Sequence, residues 1–250
     1  MSLVTSSISN SVCTLSLNRA DKLNALNREM YGLLTSGLNE ASNNDECNVI
    51  VIKGTPGIFT AGNDMADFAT AIAQGGERFD APFLLMKAML SCEKPLLASV
   101  DGPAIGIGTT LLFHCDLVYA SHGARFHAPF ADLGVCPEFA ASETFPALLG
   151  SHRAAEMLLL GEPLSAADAE RFGLVNKLLE SETLDQTVTA IAGKLAAKPR
   201  DALLTSRKLL HARRKKHMEV IEREGAEFGR LMKTPEFKKS LEMFLSKGKS

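Results

Sequence analysis

Residues 99–108 read S-V-D-G-P-A-I-G-I-G, and the fold follows from how that stretch joins its neighbours. It takes over from an apolar run, L-L-A-S-V at 96–100, and leads into T-T-L-L-F-H at 109–114. The first run has the length of a buried strand and the second the spacing of a helix. Between them Gly102 tolerates φ > 0 and Pro103 fixes φ, which makes a tight turn. Gly106 and Gly108 let another backbone or a ligand approach closely. A helix starting at such a turn presents backbone N–H groups without partners, and these favour negative charge. By itself the stretch fits a plain packing turn equally well.

A second stretch of the same character makes it informative. Residues 49–68, V-I-V-I-K-G-T-P-G-I-F-T-A-G-N-D-M-A-D-F, again run from buried strand through a Gly-containing loop into a helical pattern. Two turns with free backbone donors, each following a buried strand, are what stabilisation of an oxyanion requires.

The rest of the chain reads outward from these two turns. Residues 4–18 alternate and carry a Ser-Asn-Ser turn, a β-hairpin. Asn27 stands where it caps a helix with Met30, Leu33, Leu34, Leu38 and Ala41 inward. Residues 68–90 are helical with an interruption near Gly75-Gly76, and Lys94-Pro95 ends that stretch. Strands follow at 116–121 and 124–129, then a loop into a helix, amphipathic helices at 151–160 and 165–171 with Ser165 as cap, and a last extended piece at 174–179. Residues 184–194 and 200–245 are helical, with a break at Thr234-Pro235. Strand–helix alternation places the chain in the α/β class. The one boundary lies near Lys198-Pro199 and divides a core, 1–198, from a helical region, 199–250.

Length and composition bound the function classes. The 250 residues suffice for one large domain, and 46% hydrophobic with 22% charged residues suits a water-soluble globule. A net charge of −2 argues against nucleic-acid binding. Cys13, Cys47, Cys92, Cys115 and Cys136 are odd in number and widely spaced, which suits a reducing compartment and gives no zinc pattern. With no signal-like start, no membrane-length apolar run and no Ser-Lys-Leu ending, the expected location is the cytoplasm. No Ser-His-Asp arrangement is recognisable around Ser99 or Ser142.

Six motifs appear in order: L-N-R-A-D-K-L-N-A-L (17–26), F-T-A-G-N-D-M (59–65), D-G-P-A-I-G-I-G (101–108), C-D-L-V-Y-A-S (115–121), A-R-F-H-A-P-F-A-D-L-G-V-C-P-E (124–138) and L-T-S-R-K-L-L (204–210). In this the chain resembles the crotonase (enoyl-CoA hydratase/isomerase) superfamily along nearly its whole length. Through residues 59–68 and 135–146 it looks closest to the peroxisomal-type Δ3,Δ2-enoyl-CoA isomerases. The resemblance implies a crotonase-like α/β spiral of ββα units forming two sheets, with a C-terminal helical trimerisation region, and so a homotrimer or hexamer. It implies an acyl-CoA thioester substrate, no metal or redox cofactor, and an enolate held by two backbone N–H groups, those of Asn63 and Ile107. It places Ala25, Ala61, Gly62, Asn63, Asp64 and Met65 against the CoA moiety, with Lys22 and Arg19 as candidates for its phosphates.

The carboxylates decide the reaction that the resemblance implies. The two positions that carry glutamates in hydratases hold Thr110 and Phe130 here, and neither transfers a proton at neutral pH. Glu138, in G-V-C-P-E-F, instead resembles the single glutamate of the isomerases. One base serves for moving a double bond from C3–C4 to C2–C3, because the proton leaves C2 and returns two bonds away at C4. Phe130, Leu133, Val135, Phe139 and Phe145 are expected to form an apolar wall that excludes water and raises the pKa of Glu138. Asp132 is the alternative base, and a plain first-turn charge is the bland reading of Glu138. Asp64 is read as a helix cap, and Asp116, His114 and His127 as structural. The basic stretch 207–216, R-K-L-L-H-A-R-R-K-K, reads as a solvated face balanced by Glu219, Glu222, Glu224 and Glu227, with contacts to CoA phosphates or RNA as alternatives. Competing functions are another acyl-CoA reaction on the same site, hydratase-like or thioester-hydrolysing, and a non-catalytic acyl-CoA- or RNA-binding role.

Overall fold

The computed structural model describes residues 2–73, 80–212 and 214–247. Its frame is a six-stranded sheet in the order β1 (Val4–Ser9), β2 (Val12–Leu17), β3 (Val49–Lys53), β4 (Leu96–Val100), β6 (Leu117–Ser121), β9 (Lys177–Leu179). The hairpin β1–β2 is antiparallel and every later pairing is parallel. A second sheet has the order β5 (Pro103–Ile105), β7 (Arg125–His127), β8 (Leu164–Ser165).

Side chains alternate across a strand, and this sorts the first sheet into two faces. Cys13, Leu15, Ile50, Ile52, Leu96, Ala98 and Val118 point into the main core. Val12, Val49, Val51 and Leu97 point the other way, onto Leu184, Val188 and Ala192 of α8 (Ser181–Ala196). Being buried on both faces is why β3 and β4 read as continuous apolar runs rather than alternating ones.

β3, β4 and β6 each hand the chain to the second layer and then to a helix. β4 turns at Gly102, where φ is +79° and a Cβ would lie 2.0 Å from the Gly57 carbonyl oxygen, so only glycine fits. The chain then forms β5 and enters α4 (Ile107–Thr110), which continues as a 3-10 turn over Leu111–His114. β6 leads likewise through β7 towards α5 (Ala141–Leu149) and α6 (Ser151–Leu158). β3 leads through Thr60, bridged to Ala104, into α2 (Met65–Ala73) and α3 (Asp80–Ser91). This is the expected spiral of ββα units. The interruption expected at Gly75-Gly76 lies outside the described residues.

Two short strands, β5 and β8, correct the expectations of a bare turn at 102–106 and of a helix signal alone at 165. Both are too short to show a period, and each is defined by its partner β7. The caps expected at Asn27 and Ser165 are present: Asn27 accepts from the Met30 N–H of α1 (Arg28–Asn43), and Ser165 from the Asp168 N–H of α7 (Ala166–Arg171). After Lys198 come α9 (Arg200–Leu210), α10 (Arg214–Leu231) and α11 (Pro235–Lys247). Val220, Ile221, Phe237 and Leu241 of these helices join the main core. The stretch 207–216 is not a solvated face throughout. Arg207 is buried, donating to Asp116 at 2.7 Å and to the Cys92 carbonyl at 2.6 Å. Arg214 also reaches the Cys92 carbonyl, at 2.9 Å. Among the described residues, no helix is long and apolar enough to cross a membrane.

Candidate active site

The two Gly-containing turns lie side by side. Thr60 and Ala104 form a parallel bridge, the Thr60 N–H donating to the Pro103 carbonyl and the Ile105 N–H to the Thr60 carbonyl, both at 3.0 Å. Gly62 sits so close to the second turn that a Cβ would lie 2.5 Å from the Ile105 carbonyl oxygen. The first turn is also tied to the loop after β2. Ala61 donates to the Leu23 carbonyl, Leu26 to the Gly62 carbonyl and Asp64 to the Leu26 carbonyl, at 2.7–2.9 Å. Buried Asn24 holds that junction with its amide on the Ile58 and Phe59 carbonyls. Ala25, Ala61, Gly62, Asn63, Asp64 and Met65 are thereby brought together.

These bonds leave specific donors over. In the Leu26–Asn63 bridge the groups used are the Gly62 carbonyl and the Asp64 N–H, so among the described residues the Asn63 N–H has no backbone partner. Ile107 is the first residue of α4, and its N–H is likewise without one, while the Gly106 N–H goes to the His127 carbonyl at 2.8 Å. The Asn63 side chain is held by α1, because the Tyr31 hydroxyl donates to Asn63 Oδ1. Burial, and then the charge of Glu138, keep the Tyr31 pKa well above that of a free phenol, so the hydroxyl keeps its proton.

Beside Asn63 is an apolar cavity of about 110 Å³ lined by Phe68, Pro82, Phe83, Met86, Phe139, Ile221 and Phe228, among others. Glu138 is the one titratable side chain among the described residues that line it. Glu138 is 9% exposed, and its Oε1 is buried without a hydrogen-bond partner. Burial first, then the nearby Glu224 carboxylate, push its pKa up to about 8. Such a group exchanges a proton near neutrality, which an ordinary surface glutamate does poorly.

The expected wall needs correction. Phe139 does line the cavity, but Phe130, Leu133, Val135 and Phe145 do not. Phe145 instead stacks on Phe113 with ring centres 3.9 Å apart. The wall comes from α2, α3 and α10, where Phe68 meets Phe228 edge-on at 6.4 Å. On α10, Ile221, Gly225 and Phe228 follow a helical period, so the C-terminal helices close the cavity. Adjacent residues could not reveal this in the sequence, because Phe68 and Phe228 lie far apart in the chain.

Other candidates take the places read for them. Asp64 accepts from the Ala66 and Asp67 N–H groups as a helix cap, and its ion pair with Arg19 at 2.7 Å holds its pKa below the usual carboxylate value despite burial. Arg19 is thus already engaged, donating also to the Ala25 carbonyl at 2.8 Å, whereas Lys22 is exposed. Asp132 is exposed and outside the cavity. Thr110 and Phe130 are buried and bring no carboxylate. His114 donates from Nε2 to the Phe139 carbonyl at 2.7 Å, and burial pushes its pKa down to about 3, so the ring is neutral. Asp116 is structural, accepting from Leu96 N–H, Arg207 and His211.

Comparison with known proteins agrees with this frame. Residues 7–250 match the family of the enoyl-CoA hydratase/isomerases. The chain belongs to that family. Like it is enoyl-CoA delta isomerase 2 of Homo sapiens, 35% identical over 85% of this chain and 55% of the human protein. This chain therefore spans about half the length of that relative. The 1,2-epoxyphenylacetyl-CoA isomerase of Escherichia coli is 32% identical over 80% of this chain and 78% of its own. An enoyl-CoA hydratase/isomerase crystal structure from Pseudoalteromonas atlantica superposes with a TM-score of 0.92 and 35% identity, covering 98% of this chain and 97% of that one. Family membership accounts for the spiral and for the pairing of the two turns.

Proposed function

We propose that this member of the enoyl-CoA hydratase/isomerase family is a Δ3,Δ2-enoyl-CoA isomerase in which Glu138 is the one proton carrier. The observation that carries the reading is Glu138 itself: a buried carboxyl with Oε1 unpartnered, the one carboxylate among the described residues lining an apolar cavity that Asn63 also lines. The thioester carbonyl lies between the Asn63 and Ile107 N–H groups. Glu138 takes a proton from C2, the electron pair delocalises over C2–C4 and the thioester oxygen, and the two N–H groups hold the resulting dienolate. Glu138 then returns a proton to C4, leaving the double bond at C2–C3. Ala25, Ala61, Gly62, Asn63, Asp64 and Met65 flank the CoA moiety. Exposed Leu209 and Leu210 are surfaces that a contact between C-terminal regions of a trimer or hexamer would cover.

Hydration needs a second group to activate water, and Thr110 and Phe130 supply none; the aromatic wall also leaves water poorly placed. The test is to follow wild-type conversion of trans-3-hexenoyl-CoA to the 2-enoyl product beside hydration of crotonyl-CoA. The expected result is isomerisation at least a hundredfold faster than hydration. Hydration as fast as isomerisation would overturn the single-carrier reading.

A further inference from the structure

Glu224 on α10 read as part of a solvated charge balance, yet it is only 8% exposed. Its Oε2 accepts from the Ala140 N–H at 2.7 Å and its Oε1 from the Ser142 N–H at 2.9 Å. Those donors belong to the start of α5, whose N-cap, Ala140, has no side-chain cap of its own. Glu224 therefore does from another helix what a capping side chain does locally.

The backbone there needs holding. Phe139 and Ala140 both lie in the left-handed region, at φ +60° and +57°. A residue with a Cβ is strained there. This double left-handed turn comes directly after Glu138. The turn closes on its own Ala141 N–H to Glu138 carbonyl bond at 3.1 Å, and two side chains clamp it from outside: His114 Nε2 on the Phe139 carbonyl, and Glu224 on the Ala140 N–H.

We propose that Glu224 is a positioning residue for Glu138: from α10 it holds the left-handed turn that aims the Glu138 carboxyl into the cavity, and so keeps its own carboxylate near that group. The titratable groups facing Glu138 are Tyr31 from α1, Cys136 from its own loop and Glu224 from α10, with His114 neutral against Phe139. Burial pushes the Glu224 pKa up, while the Ser142 and Ala140 N–H bonds and the Arg223 guanidinium pull it back. The inference rests on the isomerase reading for its kinetic consequence but not for the turn or the pairing of carboxylates.

Two variants separate position from charge. Glu224→Gln removes the charge and one acceptor; Glu224→Asp keeps the charge and shortens the reach. Carboxyl-carbon NMR of glutamate-labelled protein, with Glu138 assigned by its loss in Glu138→Gln, reads the titration without any turnover. In Glu224→Gln, Glu138 is expected to titrate about one pH unit lower, a tenfold weaker hold on its proton. The acid limb of kcat/KM for trans-3-hexenoyl-CoA should move the same way. In Glu224→Asp the limb should stay in place while kcat falls at least fivefold. An unmoved Glu138 titration in Glu224→Gln overturns the proposal, whatever happens to activity. Should that variant not fold, wild-type kcat in Glu224→Asp overturns it instead. A wild type that turns over no enoyl-CoA but shows the titration shift would sink the isomerase reading and leave this one standing.

Discussion

At the scale of single residues, Glu138 is set apart by environment rather than by type. The sequence places it after a proline at a helix start, where most glutamates are ordinary first-turn charges. Burial among aromatic rings and the facing Glu224 make it a carboxyl with a pKa of about 8. This has a consequence for stability. A group that holds its proton more tightly folded than unfolded stabilises the fold below its unfolded pKa, and that contribution is lost as pH rises through its folded pKa. Glu138→Gln has no proton to lose. Its melting temperature relative to wild type is therefore expected to rise between pH 5 and pH 8, read by parallel thermal melts. A difference that is flat over that range would mean that Glu138 is not held protonated. Asn63, Ile107 and Glu138 were legible because they sit in local motifs. Glu224 and Tyr31 were not, because each acts through a partner distant in the chain, Ala140 and Asn63.

Among the elements, α10 joins the apolar cavity to the turn after Glu138. One face carries Ile221, Gly225, Phe228 and Gly229 into the cavity, and Glu224 beside it clamps the turn after Glu138. A mid-helix glycine costs about 1 kcal/mol relative to alanine. A Cβ on Gly225 would meet no atom within 4 Å, so packing does not require glycine there. What the glycine preserves is room in the cavity. Gly225→Ala is thus expected to gain up to about 1 kcal/mol in urea denaturation while raising KM for trans-3-hexenoyl-CoA several-fold. A stabilised variant with unchanged KM would move the acyl group away from α10. Periodicity in the sequence finds α10 as a helix, but not which partner its apolar face meets. For that reason the cavity wall was expected from residues 130–145, its nearest neighbours in sequence.

Over the whole molecule, the parts legible in the sequence are those with a local signature. Buried strands appear as apolar runs, caps as Asn27 and Ser165, and the two donor turns as Gly-containing joints. The parts that were not legible are set by tertiary pairing: the two-residue β8, the three-residue β5, and the burial of Arg207 against Asp116. Short strands carry no period of their own, and a basic run does not show which of its charges turn inward. The fold then brings three distant segments, around Asn63, Ile107 and Glu138, to one place. On that convergence rests the central claim, that one buried carboxyl moves the proton from C2 to C4. Its most direct test is the rate of trans-3-hexenoyl-CoA isomerisation by wild type and Glu138→Gln at the same pH, with thioester binding checked by the rise in melting temperature. The account predicts a loss of about 10²–10⁴-fold with binding retained; near-wild-type turnover in Glu138→Gln would contradict it.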